Sequence, residues 1–217
     1  MTLASPAPAP SSARGPRVLA GDPLRLPWDL RLTPEQFERV CQANPEAVLE
    51  LMADGQLVAM TPTGGETSRR NSELLLQLAL FCKRHSQWRV FDSSGGFRLP
   101  DGSVLSPDTA LVRLDRWQAL TPEQRRGFPP LCPDLVVELA SPGDNGPRGV
   151  SALRQKMDLY QANGAQLGWL LLPEQQAVEI WQIGQQGMAQ RLNNACRLAA
   201  GEAFAGLALE LEEIWAA

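Results

Sequence analysis

The stretch Asp134-Leu135-Val136-Val137-Glu138-Leu139-Ala140 decides how this chain is read. Its aliphatic run sits between Pro133 and Ser141-Pro142-Gly143, which marks a short strand covered on both faces. Alternation puts Leu135, Val137 and Leu139 on one face and Val136, Glu138 and Ala140 on the other. Glu138 therefore lies in the middle of an apolar strand. A buried carboxylate without a partner costs several kcal/mol, so a cation, a metal ion or solvent at the sheet's end must compensate it. The plainer alternative is a sheet-end Glu turned to water.

Downstream, the Pro- and Gly-rich segment 141–149 leads into a helix over 150–162, stopped by Asn163-Gly164. The strand QLGWLLL (166–172) follows, so strand, helix and strand form a right-handed parallel crossover. AVEIWQI (177–183) adds another strand, and LALELEEIW (207–215) reads as a last strand or a short helix. Upstream, the pattern predicts a helix over 34–43 and a hairpin of AVLELM (47–52) and QLVAMT (56–61). A long helix over 66–85 comes next, and its run LLLQLALFC predicts burial on most sides. WRVFD (88–92), GGFRL (95–99) and TALVRL (109–114) are strands, and 115–120 and 122–126 are short helical pieces. TPEQ occurs at Thr33 and at Thr121. Each copy offers a Thr cap, a Pro at the first helical position and a Gln at the third. The sum is an α/β fold with a mixed central sheet flanked by helices.

Composition bounds the function. The chain has 217 residues, enough for one domain over 23–217 after an Ala-, Pro- and Ser-rich tail over 1–22. Its first twenty residues include twelve Ala, Pro or Ser and lack the apolar run of a secretory signal, so the expected location is the cytoplasm. No run of apolar residues is long enough for a membrane span. The formal net charge of −4 argues against nonspecific coating of nucleic acid but leaves room for a local basic groove. One histidine, His85, excludes a multi-histidine metal site. Cys41, Cys82, Cys132 and Cys196 form no CxxC pair, so four free and mostly buried thiols are expected. Eighteen of the twenty cationic side chains are Arg. Only Lys83 and Lys156 could be proton-handling cations.

Four residues form the candidate centre. Asp108 follows Ser106-Pro107 at the mouth of a strand, where a plain turn would also explain it. Glu50 alternates with Val48 and Met52, as a half-exposed strand residue would. Lys156 lies about 60° from Leu153 on the helical wheel, so it borders the face packed on the sheet. Alone it reads as a snorkelling lysine. Together, Asp108, Glu138 and Glu50 make an oxygen-ligand set for Mg²⁺ or Mn²⁺, with Lys156 near enough to position or deprotonate a water.

Ordered strings along residues 32–215 carry a resemblance. They are LTPEQF, DGQLVAMTPTGGETSRRNSEL, VFDSSGGFRLPDG, SPDTALVR, LTPEQRRGFPPLCPDLVVELASPGD, KMDLYQANGAQLGWLL and VEIW. Each is weak alone, but the ordered set resembles the Uma-two family of restriction endonuclease-like proteins. The resemblance implies a PD-(D/E)XK nuclease-like fold and a metal-dependent endonuclease acting on DNA. Pro107-Asp108 supplies the PD, Glu138 the second metal carboxylate and Glu50 the early acidic position, while Asn71 stands where relatives carry His or Asn. Arg69, Arg70, Asn71 and Arg113 are the candidate nucleic-acid contacts, with Arg84 and Arg116 as further phosphate contacts. A homodimer would supply two centres for a duplex. The chain departs from the superfamily pattern at Ala140, where a lysine usually stands two residues after the Glu. The resemblance then gives the lysine's role to Lys156, with Arg154 as the fallback cation. The alternative is a degenerate copy that binds nucleic acid or a protein partner without cutting.

Overall fold

A computed structural model describes residue 27 and residues 29–60, 62–143 and 149–216. The tail expected over 1–22 lies outside them. The first half runs α1 (Pro34–Ala43), β1 (Leu49–Leu51), β2 (Leu57–Ala59), α2 (Gly65–Arg84), β3 (Trp88–Asp92), β4 (Phe97–Arg98), β5 (Val104–Leu105) and β6 (Thr109–Arg113). Then come α3 (Leu114–Ala119), α4 (Pro122–Arg126), β7 (Leu135–Leu139), α5 (Val150–Ala162), β8 (Leu167–Leu172) and β9 (Ala177–Gln182). The order closes with β10 (Gln190–Asn193), β11 (Arg197–Ala199), β12 (Ala208–Glu210) and α6 (Glu212–Trp215).

β7 is central, as its aliphatic run requires. The main sheet has the order β10-β9-β8-β7-β6-β3. Only the β7–β8 pair in it is parallel, with Glu138 opposite Leu170. That pair is joined through α5, which is the crossover the sequence implies. A second sheet, β2-β1-β5-β4, carries the hairpin of β1 and β2. Both TPEQ segments form complete capping boxes, with Thr33 and Thr121 accepting from the Gln36 and Gln124 amides.

The alternation along β7 sorts the core. Leu135, Val137 and Leu139 pack with Leu74, Leu78 and Phe81 of α2 on one side of the sheet. Val136 packs with Met157 and Tyr160 of α5 and with Phe97 and Leu105 on the other. Phe37 of α1 seals the small sheet against Leu49, Leu51 and Leu57.

Two expectations need correction, and a third resolves. α2 is not buried on most sides: Leu74, Leu78 and Phe81 are buried, but Leu76 and Leu80 are 51% and 46% exposed. The sheet lies along one stripe of a 20-residue helix, so a continuous apolar run overfills that stripe. The thiols are free, but only Cys132 is buried and Cys196 is exposed. The segment 207–215 is both candidates in turn, strand β12 and then helix α6. β10 and β11 had no clear apolar alternation to reveal them. Among the described residues no helix is long and apolar enough to cross a membrane.

Asp134 pins the far end of β7 from the acidic residues. Its buried carboxylate accepts from the Arg113 amide at 2.8 Å and from Gln166 at 2.9 Å, and pairs with Arg116 at 2.8 Å. Removing one partner of such a buried group is costly, whereas an exposed pair contributes little. Asp134→Ala should therefore lose about 3–5 kcal/mol in urea unfolding. Glu123→Ala, which removes the exposed Arg126–Glu123 pair, should change stability by under about 0.5 kcal/mol. Equal losses in the two variants would contradict this assignment.

Candidate active site

The acidic residues converge because four segments end at one edge of the two sheets. Glu50 comes from β1, Ser106 and Asp108 from the link between β5 and β6, Glu138 from β7 and Lys156 from the second turn of α5. They line a cleft of about 460 Å³, with Asn71 and Thr67 of α2 on its far wall and Val48, Met60 and Leu153 at its apolar edge.

Lys156 is the hub. Its Nζ donates to the Ser106 carbonyl at 2.8 Å and lies 2.8 Å from both Glu50 Oε1 and Glu138 Oε1. The same Glu50 oxygen accepts from the Ser106 amide at 2.8 Å. Ser106 thus uses both of its backbone groups to bind the ion pair. Glu138 Oε1 meets Lys156 as a close ion pair whose angle is poor for a hydrogen bond. Asp108 is fixed separately. Its Oδ1 accepts from Asn71 Nδ2 at 3.0 Å and its Oδ2 from the Leu139 amide at 2.8 Å, which sets it beside β7. Asn71 Oδ1 is buried without a partner.

Charge is out of balance here. Glu50, Asp108 and Glu138 face a single cation, Lys156, among the described residues that line the cleft. Burial pushes the Glu138 carboxyl up to about 8; Lys156 opposes the rise, while Asp108 and Glu50 add to it. Burial likewise raises Asp108, against the Leu139 amide and Lys156. For Lys156, burial disfavours the ammonium, but Glu138 and Glu50 override it and hold the group above the ordinary lysine range. Burial keeps the Tyr160 phenol protonated. Its hydroxyl is buried without a partner, and Lys156 Nζ stands 5.9 Å from the centre of its ring.

The donors suit a hard divalent cation, being carboxylate and carbonyl oxygens with neither imidazole nor thiolate. Among the described residues no three His, Cys, Asp or Glu side chains stand close enough to cage an ion by themselves. Mg²⁺ does not need that, because it is commonly held by one or two carboxylates, waters and substrate phosphates. Asp108 and Glu138 supply two such carboxylates.

The structure brings Asp108, Glu138, Lys156, Glu50 and Asn71 into one cleft. It does not bring Arg69, Arg70 or Arg113 there. Arg69 ties α2 to the C-terminal segment through the Glu213 and Ala216 carbonyls. Arg70 is buried and pairs with Glu66 at 2.6 Å and Glu174 at 3.7 Å. Arg113 closes the opposite end of β6 and pairs with Asp115 at 2.8 Å. Arg116 serves Asp134, and Arg84 is exposed at the end of α2. Arg154 is committed to Glu179, with contacts of 2.7 and 2.6 Å, so it is not a spare cation for the acids. Glu50 is 4% exposed rather than half-exposed, because the β5–β6 link covers it. Sequence reasoning missed Ser106, which acts through its backbone and leaves no side-chain signal. It also missed Thr67. That residue could have been found from its place one helical turn before Asn71.

A family model described as "Uma2: Putative restriction endonuclease" matches residues 34–212, a span that contains every residue of the cleft. Among solved structures, the chain is similar to one from Anabaena variabilis ATCC 29413 titled "a putative nuclease belonging to DUF820". The TM-score is 0.66 at 20% identity, covering 85% of this chain and 97% of that one. The likeness is one of fold, the restriction-endonuclease-like mixed sheet with helices on its faces. No curated protein matches the chain.

The raised Glu138 carboxyl sets a pH dependence. The folded state holds this proton up to about pH 8, while the unfolded chain releases it near 4.5. The stability it contributes is full below pH 4.5 and is lost as pH rises through about 8. The metal-free melting temperature should fall across this window, and Glu138→Gln should flatten the fall. A wild-type profile that is flat or rises there would contradict the crowding of the acids.

Proposed function

The chain belongs to the Uma2 family, and from that premise we propose that it is a metal-dependent nuclease hydrolysing phosphodiester bonds of DNA. The observation that carries the reading is the excess of buried carboxyls over cations in the cleft, with Lys156 fixed among them at 2.8 Å. A structural ion pair would be balanced. Here burial holds extra acid in place, which suits a divalent cation and an anionic substrate arriving together.

Asp108 and Glu138 would hold Mg²⁺ or Mn²⁺, and Glu50 stands close enough to Lys156 to complete the acidic wall. Bound there, the ion supplies a more acidic water and neutralises charge that builds on the phosphate. The remaining work falls to the protein. Asn71 and the Leu139 amide fix both oxygens of Asp108, so the carboxylate is set before a ligand arrives. Lys156 keeps its proton, so it is a poor general base. It serves as a fixed cation and donor for negative charge developing at the phosphate. This role differs from the water-deprotonating one the sequence allowed. Ser106 and Glu50 prevent the lysine from swinging out to solvent.

The location of the lysine bears on the degenerate alternative. Ala140 offers no amine, and its backbone amide is spent on Leu171 at 2.9 Å. Lys156 brings an ammonium to Glu138 from α5 instead. That substitution of one element for another supports competence over loss of turnover.

Cleavage of plasmid and linear DNA with Mg²⁺ or Mn²⁺ tests the reading. Wild type should cut, and Asp108→Ala, Glu138→Ala and Lys156→Ala should each lower the rate at least about 100-fold. Divalent metal should also raise the melting temperature of wild type and not of the Asp108→Ala, Glu138→Ala double variant. Folded wild-type protein that neither cuts nor shifts with millimolar Mn²⁺ would overturn the proposal.

A further inference from the structure

We propose that a second pocket, next to the acidic cleft, binds an unstacked nucleobase of the substrate strand; this rests on the nuclease reading and names how the strand is held. The pocket has a volume of about 470 Å³, close to that of the acidic cleft and within the range of small-ligand sites. Ser94, in the link between β3 and β4, lines both. The two clefts therefore meet across one ridge of backbone.

The pocket's walls are aromatic. Phe91 packs against Phe97 at 5.3 Å and against Trp117 at 5.0 Å between ring centres. Phe97 is buried, while Phe91, Trp117 and Phe128 are half-buried, so part of their surface faces the space. Gly96 lets the ridge lie flat on this wall. A Cβ there would stand 2.8 Å from the Phe128 ring and 3.3 Å from Ser106 Oγ. Ser106 is the residue that holds Lys156, so the ridge touches the aromatic pocket and the acidic centre at once.

The rim is cationic. Arg125 is held by the Leu120 carbonyl at 2.8 Å and the Gln118 carbonyl at 3.4 Å, and among the described residues no carboxylate pairs with it. The pocket's one acid, Glu38, is taken by Arg98. The rings are tilted to one another, by 80° between Phe91 and Phe97 and by 60° between Phe91 and Trp117, so a base would lie on a single ring face; with the Arg125 guanidinium at the rim, that arrangement suits a base with its phosphate. Stacking on such rings tolerates any base, because each has a π face.

Binding in Ca²⁺ of a short fluorescein-labelled oligothymidylate, and of an abasic strand of the same length, separates the possibilities. Trp117→Ala should raise the Kd for oligothymidylate at least about 5-fold, the low end for one lost base–aromatic stack. Wild type should bind the abasic strand as weakly as Trp117→Ala binds oligothymidylate. Because Trp117 also packs on Phe91, the surface variant Arg125→Gln provides a second readout: weaker binding with a shallower salt dependence and an unchanged melting temperature. The proposal fails if folded Trp117→Ala and Arg125→Gln bind as wild type does, or if wild type binds both strands equally. If wild type still cuts DNA in those cases, the nuclease reading survives alone. If wild type neither binds nor cuts, both fall.

Discussion

One ammonium group holds this site together. Lys156 is 7% exposed, yet it carries a charge that burial disfavours. It keeps that charge because Glu50, Glu138 and the Ser106 carbonyl surround it at 2.8 Å. These partners come from β1, β7 and the β5–β6 link, while the lysine comes from α5. The contact therefore joins both sheets and a helix at a single atom. Buried ion pairs of this kind are weak sources of stability, since desolvation offsets most of the attraction. An apolar cluster would hold the same segments together at less cost.

The rest of the fold serves to hold that contact still. β7 is covered on both faces, so Glu138 cannot turn away without exposing Val136. Met157 and Tyr160 bury the face of α5 that carries Lys156. Arg154, two residues earlier on α5, grips Glu179 on β9, which Arg191 also pairs with at 2.5 Å. Two arginines on one buried acid lower its pKa and fix the helix against the sheet. The contrast with the cleft is instructive. Around Glu179 the cations outnumber the acid, and the carboxylate is fully satisfied. Around Lys156 the acids outnumber the cation, and one carboxylate oxygen lacks an aligned donor.

What was legible in the sequence follows from how each residue acts. Glu138 stood out because a charge in an aliphatic strand breaks the pattern around it. Lys156 was marked by helical spacing, and the capping boxes by their local chemistry. The parallel crossover followed from a buried strand, a stopped helix and a second buried strand. Glu50 was harder, because alternation fixes a face but does not say that another chain segment will cover it. Ser106 was invisible, since its two contacts use backbone groups that every residue has. Arg70 and Arg113 misled for the opposite reason. A cation's charge is evident in sequence, whereas Glu66, Glu174 and Asp115, which occupy them, are identified as partners only by the fold.

With Ala140 on the strand and Lys156 on α5, the ammonium beside Glu138 comes from the helix, and this changes what the site depends on. A lysine at position 140 would share a strand face with Glu138 and move with it, because side chains two apart on a strand are rigidly related. Lys156 has no such tie. Its distance from Glu138 is set by how α5 docks, and so by Met157, Tyr160 and the Arg154–Glu179 pair. Docking errors that a strand-borne lysine would not feel are transmitted directly to the ammonium. In return, Lys156 reaches Glu50 on the second sheet as well as Glu138 on the first. With Ala140 carrying no amine, the cation beside Glu138 comes from a helix whose packing unites the two sheets around the acids.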